Sequence, residues 1–222
     1  YIIFHIESPI LKSKDAKMEK TEILNELFNI EDRIALVTGG GSGIGKMISE
    51  VLAFSGSKVY ITSRKLESIE KTSQEINSKK PKYPVQFFKS DLSSENGVME
   101  LVNNFKRKEE YLNILINNSG VSWGANLGDF PYHAWDRVLK VNVIGLFHLT
   151  QLLLPSLANK ATMAYPSRVI NIGSVMGSAA LGDGPYSYSA SKAAVHHITR
   201  VLAKELAKQK ITVNALAPGP FL

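Results

Sequence analysis

Tyr188 and Lys192 stand four residues apart in Pro185-Tyr186-Ser187-Tyr188-Ser189-Ala190-Ser191-Lys192. On a helix that spacing puts both side chains on one face. A free phenol titrates near ~10, too high for easy proton exchange at neutral pH. A neighbouring ammonium favours the phenolate and lowers that value. The pair is therefore a candidate proton donor and acceptor. Tyr186 lacks such a partner, because Ala190 occupies the matching position. Upstream, Asn171-Ile172-Gly173-Ser174 sets a hydroxyl at the end of an apolar run.

A second group of residues suits a phosphate. Thr38-Gly39-Gly40-Gly41-Ser42-Gly43-Ile44-Gly45 follows the apolar run Ile34-Ala35-Leu36-Val37 and leads into Ile44, Met47, Ile48, Val51 and Leu52 at helical spacing. The glycines thus sit where a buried strand turns into a helix, whose first N–H groups are unpaired and lie at the positive dipole end. Counted from Gly41 the G-x-G-x-x-G pattern fails at Lys46, and what stands is Gly39-x-x-x-Gly43-x-Gly45. On this stretch alone, a glycine-rich turn without a ligand remains open. About 20 residues past such glycines a dinucleotide fold often carries an acid for the ribose 2′-hydroxyl. Here the sequence has Ser63-Arg64-Lys65, and Arg64 offers a planar fork suited to a 2′-phosphate, or is a plain surface cation. Asp91-Leu92 offers a carboxylate that suits an adenine amino group, or leads a helix. Asn117-Asn118-Ser119-Gly120 has the form of a glycosylation acceptor; at a strand end its amides rather line a ligand wall or tie a loop to the sheet.

These residues need elements to hold them. Short Val- and Ile-rich runs predict strands at Ile34–Thr38, Lys58–Thr62, Val85–Lys89, Ile114–Asn117, Arg168–Ile172 and Thr212–Ala217. Helical spacing predicts Gly43–Ser55, Leu66–Ser78, Glu95–Lys108, His133–Leu157 and Ser187–Lys208, the third capped by Ser93 or Ser94. Gly56, Pro81 and Pro84 punctuate the connections. Such alternation implies an α/β fold: a doubly wound parallel sheet with helices on both faces. Ligands then bind at the carboxyl ends of the strands, where all of the motifs above fall.

The chain of 222 residues, 44% hydrophobic, suits one domain with a substantial core. No stretch reads as long and apolar enough to span a membrane. Cysteine is absent, which excludes disulfides, thiol nucleophiles and Cys-ligated zinc. The net charge of +6 is spread over scattered lysines, which suits anionic small ligands rather than nucleic acid. Residues 1–33 read as an N-terminal extension before a nucleotide-binding domain at 34–222. Tyr1–Ile6 is too short for a signal peptide, and Arg33 is the first arginine, with seven acids before it, unlike a mitochondrial presequence. Met18 is an expected natural start. His196-His197 lack a carboxylate or Cys to complete a metal set, and no metal is expected. Trp123 and Trp135 line a substrate cleft or pack in the core.

From about Arg33 to Gly219 the chain resembles the short-chain dehydrogenase/reductase family. The residues that carry the likeness are Thr38-Gly39, Gly43-Ile44-Gly45, Asp91, Asn117-Asn118-Ser119-Gly120, Asn142, Ser174, Tyr188-x-x-x-Lys192 and Pro218-Gly219. The resemblance implies a Rossmann-like sheet of seven strands in the order 3-2-1-4-5-6-7 and a catalytic set of Asn142, Ser174, Tyr188 and Lys192. In that set Tyr188 is the acid/base and Ser174 hydrogen-bonds the substrate oxygen. Lys192 holds the nicotinamide ribose and tunes Tyr188, and Asn142 supports a water relay through Lys192. The implied cofactor is NADP(H), with NAD(H) the alternative. Its expected contacts are Thr38, Gly39, Gly41, Ser42, Gly43, Ile44, Gly45, Arg64, Asp91, Leu92, Asn118, Gly120, Tyr188, Lys192, Pro218 and Gly219.

The resemblance further implies a small carbonyl or alcohol substrate. It is strongest to the 3-oxoacyl-carrier-protein reductase branch and its rhamnolipid-type relatives. Dehydrogenation of a small polyol or steroid with NAD is the alternative reaction, and silent dinucleotide binding is the alternative of another class. A cytoplasmic homodimer or homotetramer follows from the family, packed through His133–Leu157 and Ser187–Lys208, with no nucleic-acid or membrane partner. Two departures stand out. Ser119 replaces the more usual Ala, and the family's substrate-covering segment and seventh strand are expected beyond Leu222, so that residues 1–222 alone are expected to be less stable and less active.

Overall fold

Six short strands alternate with helices in the computed structural model, which describes residues 28–180 and 184–219. The strands are β1 (Ile34–Thr38), β2 (Lys58–Ser63), β3 (Gln86–Lys89), β4 (Ile114–Asn117), β5 (Ser167–Ile172) and β6 (Ile211–Leu216). They form one parallel sheet in the order β3-β2-β1-β4-β5-β6, a Rossmann-like doubly wound arrangement. The helices are α1 (Gly43–Phe54), α2 (Leu66–Ser78), α3 (Glu95–Lys106), α4 (Tyr132–Asn159) and α5 (Tyr186–Leu206). Most of the proposed extension at 1–33, including the Met18 start, lies outside the described residues.

Alternate strand residues face opposite layers. Ala35, Val37, Val59 and Ile61 pack against α1 and α2 through Ala53, Ile69 and Ile76. Ile34, Leu36, Tyr60, Leu115 and Val169 pack against α3, α4 and α5 through Phe105, Leu149, Leu153 and Leu202. Each fully buried side chain of this size contributes roughly 1.5–3 kcal/mol. The Ser94 hydroxyl caps α3 by accepting from the Gly97 N–H at 3.1 Å, while Ser93 turns to Asp91 instead.

Two expectations change. The stretch His133–Leu157 forms a longer helix, and its middle, Lys140–Gly145, is a π turn. Gly145 lies there so close to the sheet side that an added Cβ would sit 2.1 Å from the Leu92 carbonyl oxygen. The apolar spacing runs through this stretch and does not report the wider turn. Helix α4 also corrects the membrane reading: with 28 residues and a mean hydropathy of 1.5, it is long and apolar enough to cross a membrane. Half of that apolar window is buried inside the protein, which makes α4 a core helix here.

Candidate active site

The loop after β1 is fixed from three sides. Thr62 of β2 accepts the Gly39 N–H at 2.7 Å through its carbonyl. Asn118, just past β4, donates from Nδ2 to the carbonyls of Thr38 and Gly39 at 2.9 and 3.2 Å. The Thr38 hydroxyl accepts the N–H groups of Asn118 and Ser119 at 3.0 and 2.9 Å. From α2, Ser68 and Thr72 both donate to the Gly41 carbonyl at 2.9 Å. Gly39 turns the chain with φ +66°, and Gly45 allows α1 to come within contact of that turn.

This wiring shows what several of the expected contact residues do within the protein itself. Thr38 is buried with its hydroxyl spent on β4, so it positions the loop and does not line the cavity. The Gly41 carbonyl is docked on α2, bonded by Ser68, which lines the cavity, and by Thr72. Asn118 lines the cavity, but its amide N–H groups serve the glycine loop. Gly43, at φ +51°, has no atom within 4 Å of the place a Cβ would take.

A cavity of about 380 Å³ lies over this loop, at the carboxyl ends of β1, β2 and β4. Gly39, Ser42, Ile44 and Gly45 form its floor, Arg64 and Asp91-Leu92 one end, and Gly120 the other. Burial pushes the Asp91 carboxyl up, but the N–H and O–H of Ser93, with the Arg64 charge, outweigh it and hold the group below its ordinary range. The residues fit a dinucleotide. The Ser42 side chain makes no cap bond at the α1 N-terminus and no acid occupies the first turn, so donors there remain for an anion. Thr62 is among the residues that line the same cavity, and its buried hydroxyl has no hydrogen-bond partner. Sequence reasoning missed Thr62, Ser63 and Ser90; their signal was position at the ends of β2 and β3, which polar residue type alone does not reveal.

At the Gly120 end the chemical groups gather. A Cβ on Gly120 would sit 3.5 Å from Asn142 Oδ1 and 3.6 Å from Lys192 Nζ. Lys192 donates to the Ile172 carbonyl at 2.6 Å, and its Nζ lies 5.5 Å from the Tyr188 ring centroid. Burial pushes the Lys192 ammonium down to about 8. Asn142, in the π turn, accepts the Val121 N–H at 2.8 Å and donates to the Val121 carbonyl at 3.0 Å and to Ser191 Oγ at 2.9 Å. Its side chain thus braces α4, the loop after β4 and α5, and that bracing is the role its geometry displays.

Ser174 leaves β5 and caps the turn Val175–Gly177, its Oγ accepting the Met176 N–H at 3.2 Å. Its O–H remains to donate. The Val175 N–H donates to the Pro218 carbonyl at 3.1 Å, so Pro218 lies beside this turn. The loop after Gly120 is tied to the approach to α5 by the Ala125 N–H on the Gly184 carbonyl, at 3.2 Å. Trp123 stacks edge-on with His133 and lies under Arg137, while Trp135 meets Phe130; neither reaches the main core clusters.

A short chain dehydrogenase family model matches residues 33–222. The rhamnolipids biosynthesis 3-oxoacyl-[acyl-carrier-protein] reductase of Pseudomonas aeruginosa is 42% identical over 198 residues, which covers 89% of this chain and 76% of the relative. Among solved structures, the Pseudomonas aeruginosa RhlG/NADP active-site complex superposes with a TM-score of 0.84 at 43% identity, covering 88% of this chain and 75% of that one. The 3-ketoacyl-(acyl-carrier-protein) reductase of Brucella melitensis complexed with NADH follows at TM-score 0.77 and 30% identity, covering 85% of this chain and 75% of that one.

Proposed function

The chain belongs to the short chain dehydrogenase family, and from that premise we propose that it is an NADP(H)-dependent oxidoreductase acting on a carbonyl or the matching secondary alcohol, with 3-oxoacyl thioesters as the substrate class. One observation carries the reading: the buried Lys192 ammonium lies beside the Tyr188 ring and, with the Asn142 amide, comes up to Gly120, which lines the cavity. Bound along the cavity, the dinucleotide supplies the hydride. Arg64 holds its 2′-phosphate, the α1 N-terminus its pyrophosphate, and Lys192 the ribose nearest the reacting carbon. Tyr188 gives its phenolic proton to the substrate oxygen in reduction and takes it back in oxidation. Ser174 donates its free O–H to the same oxygen and stabilises the charge that develops there.

The Pseudomonas relatives support both the substrate class and the phosphorylated cofactor. A homodimer or homotetramer is part of the same reading. The test is oxidation of NADPH and NADH by the purified protein with 3-oxoacyl thioesters, diketones and quinones as acceptors. Turnover with NADPH and a 3-oxoacyl thioester is expected. Tight cofactor binding with no acceptor reduced marks a silent binding protein instead.

A further inference from the structure

His196 lies one helical turn past Lys192 on α5, in a seat cut for an imidazole. An added Cβ on Gly173 would sit 2.2 Å from His196 Nε2, and one on Gly177 would sit 2.8 Å from its Cε1. Both ends of the turn that carries Ser174 therefore close directly on the ring. Both ring nitrogens are engaged: Nε2 faces the Ser174 N–H at 3.4 Å, and Nδ1 faces Ser178 Oγ at 3.1 Å. A backbone N–H only donates, so Nε2 must accept, and the proton of the neutral ring belongs on Nδ1. The Ser174 hydroxyl has its own bond to Met176, so the imidazole acts on the backbone of the serine and not on its reacting atom.

We propose that His196 is a positioning residue: as its Nδ1–H tautomer it holds the Ser174 turn in register with Tyr188, and protonation at Nε2 releases that turn. The assignment rests on Ser174 acting as the donor to the substrate oxygen. A protonated ring would point an N–H at the Ser174 N–H, exchanging a hydrogen bond for two opposed donors. The charged groups that act on the ring are Arg200 and Lys192, both cations on its own helix. The turn presents Ser174 and Ser178, and the neighbouring cavity wall presents Asn214, Ala215 and Ala217 from β6 and beyond, none of them titratable. Burial first, then Arg200 and Lys192, push the imidazole below its ordinary value. The surroundings thus favour the neutral form that the seat requires.

The experiment combines nitrogen-detected NMR of the full chain with kinetics of His196→Gln and His196→Leu. The spectrum of His196→Gln identifies the His196 signal. The expected spectrum shows the Nδ1–H tautomer, titrating below the ordinary ~6.5, with the Ser174 amide resonance moving in step. Turnover of the wild type is expected to fall with that titration. Glutamine keeps an acceptor near the place of Nε2 and is expected to lose the acid-side fall while holding turnover within about tenfold of wild type. Leucine is expected to cost up to about 100-fold in turnover, with the NADPH dissociation constant unchanged. An Nε2–H tautomer, a Ser174 amide indifferent to the titration, two variants as fast as wild type, or a joint loss of turnover and NADPH binding in the leucine variant each overturn the proposal. A wild type that reduces no carbonyl sinks the reading of the activity alone, and the tautomer and the Ser174 amide still decide whether His196 holds the turn.

Discussion

The Lys192 ammonium donates to the Ile172 carbonyl at 2.6 Å from a position only 5% exposed. Burial lowers its pKa from 10.5 to about 8. A lowered lysine value means that the folded state sheds its proton first, while the unfolded chain still holds one up to 10.5. Stability therefore rises with pH between about 8 and 10.5. Cofactor binding runs the other way, because the neutral amine no longer offers charge to ribose hydroxyls and phosphates. NADPH affinity is expected to fall as pH rises through about 8, and Lys192→Met should flatten the profile. Fluorescence titration of NADPH across that range checks it; a flat wild-type profile refutes it.

Tyr186 and Tyr188 sit one residue apart but in different company. The Tyr186 ring packs edge-on against Phe130, with centroids 5.3 Å apart, whereas the Tyr188 ring lies 5.5 Å from Lys192 Nζ. Tyr188→Phe removes the proton carrier and is expected to cost on the order of 10²–10⁴-fold in turnover with cofactor binding retained. Tyr186→Phe keeps its stacking ring and should cost far less. Steady-state rates of the two variants decide, and the reverse order would reassign the acid.

The glycines of the first loop separate folding from binding. A Cβ on Gly45 would sit 2.2 Å from the Gly39 carbonyl oxygen and 2.4 Å from Asn118 Nδ2. Gly45→Ala must push the loop off β4, at about 1–3 kcal/mol for an overpacked site. Gly43→Ala meets open space and costs about 1–2 kcal/mol, for its left-handed backbone alone, but it alters the first residue of α1, the helix end proposed to hold the pyrophosphate. Both variants are expected to melt below the wild type, Gly45→Ala by more, while Gly43→Ala is expected to lose more of the NADPH binding. Thermal denaturation with and without NADPH measures both.

Most element bounds were legible because the signals are local, whereas the sheet order came only with the family resemblance. Val- and Ile-rich runs mark strands buried on both faces, and Ile34–Thr38, Leu66–Ser78 and Ile114–Asn117 come out at their expected limits. Arg64, Asp91, Gly120 and Ser174 each follow the carboxyl end of a strand in the one parallel sheet, which is why a rule about strand ends could single them out. What the sequence could not tell is which atom of a polar residue faces the ligand. Thr38 and Asn118 belong to the cofactor motif by type, yet their side-chain donors and acceptors are largely consumed in holding the loop. His196 carried no signal at all beyond its neighbour His197, since its meaning depends on two glycines about twenty residues upstream that close on it in space. The π turn was hidden for a related reason: the sequence around Asn142 keeps its apolar spacing while the backbone widens.

Arg64 lines the cavity near Asp91, and no salt bridge occupies it among the described residues. A charge-assisted hydrogen bond to a 2′-phosphate contributes roughly 1.5–3 kcal/mol, a preference of about 10- to 150-fold for NADPH over NADH. Arg64→Ser is expected to weaken NADPH by that factor and leave NADH nearly unchanged. Dissociation constants for both cofactors check it, and an equal loss for the two would show that Arg64 does not read the phosphate.

The last expectation concerns assembly. Val138, Val141, Leu146 and Leu149 of α4 are buried against the protein's own core. The outward face is instead Tyr132, Ile144 and Phe147, exposed by 91%, 59% and 41%. On α5, Val201 is exposed by 50% while Val195 is buried. Large apolar groups clustered on two long helices have a reason to be covered, and a standard interface covers about 800 Å² of each partner. Two antiparallel copies of α4 and α5 would cover these residues with residues of the same kind. The protein is therefore expected to sediment as a dimer or tetramer. Ile144→Lys combined with Phe147→Glu places charges on that face, outside the cavity, and should shift the population toward monomer while leaving NADPH binding intact. A wild type that sediments as a monomer across a wide concentration range would show that these side chains serve another end.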